Sequence, residues 1–97
     1  MEVFYLDEIT EFIGNLEYKD RSRLDRTIIF FERSGFQIGP KYIKKITTDI
    51  WELRAGSIRL FLYIKRNAAY GVNIIRKKSQ KLPRREIYLA VKRSQQL

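Results

Sequence analysis

The chain reads as an α+β domain: two N-terminal helices packed on a small antiparallel β-meander, followed by a C-terminal helix. Three observations predict it. Apolar residues recur at helical spacing before residue 34, at strand spacing between Ile50 and Lys78, and at helical spacing again after Pro83. The connections between the apolar runs of the middle section are short, which favours antiparallel neighbours. Finally, 97 residues at 44% hydrophobic and 13% aromatic content supply one modest core, so residues 1–97 form a single domain.

Each element has its own signal. Residues 2–6 (Glu-Val-Phe-Tyr-Leu) suit a short edge strand. Ile9, Phe12, Ile13 and Leu16 then form an i, i+3, i+4, i+7 stripe, with Asp7 placed to cap that helix. Asp20 is placed to cap a second helix, whose stripe is Leu24, Ile28 and Phe31, broadened by Ile29 and Phe30. Its arginines Arg21, Arg23, Arg26 and Arg33 alternate with Asp25 and Glu32 and read as a solvated face. Gly35 supplies a stop of positive φ. Residues 36–47 read as an irregular link carrying Lys41, Lys44 and Lys45. Strands follow at 50–54, 58–65 and 72–78. Pro83 then opens a helix with the narrow stripe Ile87, Ala90 and Val91.

Composition narrows the chemistry. There is no Cys and no His, so disulfides, thiolate metal sites, a Cys nucleophile and the usual general base are excluded. No apolar run approaches the roughly 18 residues of a membrane helix, and the opening lacks a signal-peptide pattern; a cytoplasmic protein is expected, with no membrane partner. The net charge is +9, and it is segregated. Residues 1–33 carry five basic and eight acidic side chains, whereas residues 34–97 carry fifteen basic and three acidic. A solvated surface needs no such segregation, while a polyanionic partner does.

The strands place these charges. Side chains alternate across a sheet. Ile58, Leu60, Leu62 and Ile64 therefore share a core face with Trp51, Leu53, Val72 and Ile74. Arg59, Phe61, Tyr63 and Lys65 share the other with Glu52, Arg54, Asn73, Ile75 and Lys77. A turn at residues 55–58 sets Arg54 opposite Arg59. A loop at 66–70 sets Lys65 opposite Gly71, Tyr63 opposite Asn73 and Arg59 opposite Lys77. The expectation is a transverse row, Arg54, Arg59 and Lys77. Like charges directly opposite cost a few tenths to ~1 kcal/mol per pair, so the row asks for an anion. Phe61 and Tyr63 beside it offer stacking surfaces for unpaired bases.

The residues also carry a resemblance. Glu52-Leu53-Arg54, Arg59, Phe61, Lys77-Lys78, Gln80-Lys81, Pro83, Glu86-Ile87 and Ala90 follow, in order and spacing, a pattern of the RelE/HigB superfamily of bacterial toxins. They most resemble its phage-associated HigB-like branch. The match covers the C-terminal half. Three positions depart from the pattern: Asn73 stands where many relatives have His, Ile75 replaces Phe, and Leu82 replaces a helix-capping Thr.

The resemblance implies a toxin of a type II toxin–antitoxin system with a RelE-like fold. Such toxins cleave mRNA, typically in the ribosomal A site, without metal or other cofactor. A small cognate antitoxin, acidic or helix-turn-helix, silences them. The implied chemistry is attack of a ribose 2′-OH on the adjacent phosphate. Arg54, Arg59 and Lys77 would stabilise the added charge, and Lys77 and Tyr63 are candidates for proton transfer. The expected RNA-binding set is Lys41, Lys44, Lys45, Phe61, Lys65, Arg66, Asn73, Arg76, Lys78 and Lys81. The alternative is a non-catalytic module that binds RNA or the ribosome through the same face.

Overall fold

The computed structural model describes all 97 residues. The elements run β1 (Glu2–Tyr5), α1 (Asp7–Gly14), α2 (Tyr18–Ser34), a 3₁₀ turn (Gly35–Ile38), β2 (Ile43–Lys45), β3 (Ile50–Ala55), β4 (Ile58–Lys65), β5 (Ala68–Arg76) and α3 (Arg84–Ser94). The fold is α+β: two N-terminal helices, a five-stranded mixed sheet and a C-terminal helix. Sheet order is β1-β5-β4-β3-β2. β1 joins β5 in parallel and the other pairs are antiparallel. The expected meander is thus the centre of a wider sheet. β1 forms one edge, as its sequence suggested. β2 forms the other, where an irregular link was expected; three residues with two exposed lysines are too short and too basic to show a strand pattern.

α1 and α2 cover one face. Their stripes meet the strands in a cluster of 15 buried residues, including Ile9, Ile13, Leu24, Ile28 and Phe31 from the helices and Leu53, Ile58, Leu60 and Leu62 from the sheet. Two details differ from the sequence reading. Asp7 and Asp20 do not cap; Leu6 and Glu17 hold the N-cap positions without side-chain bonds, and both aspartates lie in or beside the first turn, where the helix dipole favours a carboxylate. Ile29 and Phe30 do not broaden the buried stripe either; they lie beyond the arc that meets the sheet and are 45% and 42% exposed. Gly35 ends α2 with φ +59°, as expected.

The strand register depends on two local features. β4 and β5 are joined by a two-residue turn, Arg66-Asn67, with φ of +49° and +66°, so Lys65 pairs with Ala68 rather than Gly71. This is the loop geometry that usually recruits Asn-Gly, and without Gly the sequence hides it. A bulge then follows: Leu62 pairs with Gly71 and Phe61 with Asn73, leaving Val72 as the extra residue. Without the bulge, Asn73, Ile75 and Lys77 would turn to the helix-α2 face. With it, they share the face of Arg59, as expected. Val72 does not take its expected place in the α1/α2 core; it packs with Ile50, Phe61 and Ala90 on the opposite side.

Candidate functional site

That opposite face was expected to be open. α3 covers much of it instead. Ile50, Phe61, Val72 and Ala90 form a second buried cluster, packed by Tyr63, Tyr70, Ile75, Leu82, Ile87 and Val91. Phe61 is fully buried, so it is a core residue and offers no surface for a base. Asn73 is also buried, and it ties α3 down: its Nδ2 donates to the Glu86 carbonyl at 2.9 Å, while Arg93 Nη1 donates to the Val72 carbonyl at 3.0 Å. Parity assigned both side chains to the correct face, but could not show that a helix lies on it. The absence of a capping Thr is visible too: Pro83 is the N-cap residue of α3, and no side chain bonds there.

What α3 leaves uncovered lies at one end of β3, β4 and β5. Arg54 and Arg59 are directly opposite, as expected. Their repulsion is offset by Glu52, whose side chain is completely buried. Arg54 Nε donates to Glu52 Oε1 at 2.8 Å. Arg59 Nε stands 3.7 Å from Glu52 Oε2, close enough for ion pairing but too far for a good hydrogen bond, and both atoms lack another partner. Arg59 Nη1 instead donates to the carbonyls of Gly56, at 2.6 Å, and Ile58, at 3.1 Å. Arg59 Nη2 and both Nη atoms of Arg54 carry no protein acceptor. One carboxylate thus orients two guanidinium groups and leaves a net positive charge with unused donors.

The third place in the row is taken by Ile75, which pairs with Arg59. The short β4–β5 turn and the bulge together shift the expected register by two residues. Lys77 is therefore a diagonal neighbour of Arg59, roughly 7–8 Å away by sheet geometry. Its backbone N–H donates to the Ser57 carbonyl at 2.7 Å, which carries the strand pairing past Arg76. Lys77 lines a groove of about 280 Å³ with Lys78, Lys81, Arg85 and Glu86. Arg76 borders it but sends its side chain toward α2, where Nη2 meets Asp20 Oδ2 at 2.6 Å.

Of the other candidates, exposed Lys44 of β2 stays beside the arginine pair, directly opposite Glu52, and the rest disperse. Tyr63 lies four residues along β4 from Arg59, about 13 Å at strand rise, beside Tyr70 with ring centroids 6.5 Å apart. Lys65 and Arg66 stand at the far end of β4, about 20 Å from Arg59, and Lys65 Nζ donates to the Leu97 carbonyl. Lys45 lies over the Trp51 ring at 5.9 Å, and Lys41 lies against Tyr42 near α2. Two further residues take part. Glu52, which shares the face of Arg54 and Arg59, was expected to pair with one cation of the row and pairs with both arginines. Arg85 had no signal in the sequence, because its place in the groove depends on how α3 docks.

No helix is long and apolar enough to cross a membrane. No curated protein matches the chain. A family model described as "Phage derived protein Gp49-like (DUF891)" matches residues 11–95, well over half of the chain. On this match the chain belongs to the phage-derived Gp49-like family, a RelE/HigB-like toxin family.

Proposed function

We propose that the chain is the toxin of a toxin–antitoxin pair, from the phage-associated HigB-like branch, and that it cleaves ribosome-bound mRNA. The observation that carries this reading is the pair Arg54 and Arg59, held by buried Glu52 and flanked by the groove of Lys77, Lys78, Lys81 and Arg85. A scissile phosphate seated there meets donors that are already oriented. The 2′-OH gives up its proton to solvent as it attacks the phosphorus, the P–O5′ bond breaks, O5′ takes up a proton, and a cyclic phosphate and a 5′-OH result. The phosphorus centre gains charge on the way, and fixed guanidinium groups stabilise that charge without reorganising. Lys77, diagonal to Arg59, is a cation that could hand a proton to the leaving oxygen. Tyr63 would need Phe61 and α3 to move before it could reach the same phosphate. A cognate antitoxin, small and acidic or helix-turn-helix, would mask this basic surface in the cytoplasm.

The test is expression of the chain without a partner. Growth and translation are expected to arrest, with new RNA ends bearing cyclic or 3′-phosphate. Arg59→Ala is expected to relieve the arrest, lowering cleavage about 10²–10³-fold, with the fold retained because Arg54 still pairs with Glu52. RNA binding with no new ends would replace this reading by a non-catalytic RNA- or ribosome-binding module.

A further inference from the structure

A second basic site lies on the opposite side of the sheet. Between α2 and the β2–β3 edge is a cavity of about 590 Å³, lined by Arg23, Arg26, Phe30, Lys41, Tyr42 and the strand end at Arg54, with no carboxylate in its wall. The volume falls in the range of ligand pockets, roughly 300–1,000 Å³. Its helical wall is Arg23, Arg26, Thr27 and Phe30, an i, i+3, i+4, i+7 stripe. That spacing normally lays apolar side chains on a core. Here it sets two cations and a ring beside open space.

These groups are not neutralised within the fold. Arg23, Arg26 and Lys41 take part in no ion pair, although Arg21, also on α2, stands 3.9 Å from Asp25. Phe30 meets Tyr42 edge to face, centroids 5.5 Å apart, and the Lys41 ammonium lies 5.5 Å from the Tyr42 ring. An exposed ring, Phe30, against a half-buried one, Tyr42, set among unpaired cations suits a base and its phosphate together.

The cavity also connects with the first site. Arg54 borders both. The Arg23 guanidinium lies on the β3–β4 turn at Gly56, where a Cβ would sit 2.5 Å from Arg23 Nη1, and Arg59 bonds the carbonyl of the same glycine. Gly56 has φ +61°, so both the turn and the close approach require glycine.

We propose that this cavity is a subsite for single-stranded RNA. It takes a nucleotide flanking the one at Arg54 and Arg59, with its phosphate on Arg26 and Lys41 and its base against Phe30 and Tyr42. The proposal rests on the RNA reading above. The strand passes over the Gly56-Ser57 turn between the two sites.

The test is equilibrium binding of a fluorescent, uncleavable 2′-O-methyl nine-nucleotide RNA to the full chain across a salt series. Arg26→Ala is expected to weaken binding several-fold and to reduce the salt slope by about 0.7, the loss of one single-strand phosphate contact. Arg26→Lys should restore the slope. Phe30→Ala is expected to weaken binding about tenfold with the slope unchanged. If both alanine variants bind like the wild type while Arg54→Ala binds worse, the subsite is overturned and the RNA reading stands. If the wild type does not bind the oligonucleotide, the subsite is overturned, while the cleavage reading is decided separately by the growth and RNA-end assay. If Arg26→Ala spares RNA but weakens binding of a polyglutamate peptide, the cavity serves an acidic protein and the subsite is again overturned.

Discussion

The two faces of the sheet are built from the same strands and differ in what they can tolerate. The face under α1 and α2 is filled by a continuous cluster of 15 buried apolar residues, to which every strand contributes. The face under α3 has only four, and Glu52 and Asn73 are buried beside them. A helix with a narrow stripe can cover only half of a sheet face. The uncovered half then holds charge, and burying Glu52 beneath that charge fixes its geometry. The broad core buries the larger share of the apolar residues. The narrow one gives up apolar contact to keep two arginines in place.

Substitution of adjacent residues on β4 tests this contrast most directly. Leu60→Ala, in the large cluster, is expected to destabilise by about 2–5 kcal/mol, and Phe61→Ala, under α3, by about 3–5 kcal/mol. Urea unfolding of both variants measures this. A cost below about 1 kcal/mol for Phe61→Ala would mean that α3 is not packed as described and that the face is open. Next in size is Glu52→Ala. Breaking a buried ion pair costs roughly 3–5 kcal/mol, and the low end is expected because Arg54 is 31% exposed and can turn to water. The same change should lower the proposed RNA cleavage, since Arg54 then loses its hydrogen bond and Arg59 keeps only those to the Gly56 and Ile58 carbonyls.

The smallest effect belongs to the large-core side. Burial, then the nearby carboxylates Glu32 and Asp25, push the Tyr5 hydroxyl up to about 12. The unfolded chain gives up this proton near pH 10, so between about pH 10 and 12 the folded state binds more protons than the unfolded one. Stability from this group is therefore complete below pH 10 and declines as pH rises toward 12. Tyr5→Phe is expected to flatten that decline in thermal melts taken at pH 9, 10 and 11. An unchanged alkaline slope would show that other groups control it.

The legible parts of the chain were those where one residue type at one period had a single physical meaning. The stripe Ile9, Phe12, Ile13, Leu16 and the alternation along β4 gave helices, strands and faces, and the Gly56 turn set Arg54 opposite Arg59. Val72 and Lys77 were misplaced for a definite reason. A turn of positive φ built from Arg66-Asn67 lacks the glycine that advertises such turns, and a bulge leaves no mark in composition. Ile29 and Phe30 looked like core because they are apolar. Only the angle at which α2 meets the sheet decides that they face outward.

The sequence by itself determined the fold class, the segregation of charge, the common face of Arg54 and Arg59, and a motif order matching its family. These depend on periodicity and nearest neighbours along the chain. Tertiary structure alone decided that α3 covers Phe61 and Asn73, that buried Glu52 serves both arginines, that Lys77 lies diagonal to Arg59, and that Arg23 and Arg26 line a cavity. Each of these depends on contacts between segments far apart in the chain, where a two-residue change in register moves a side chain by about 7 Å.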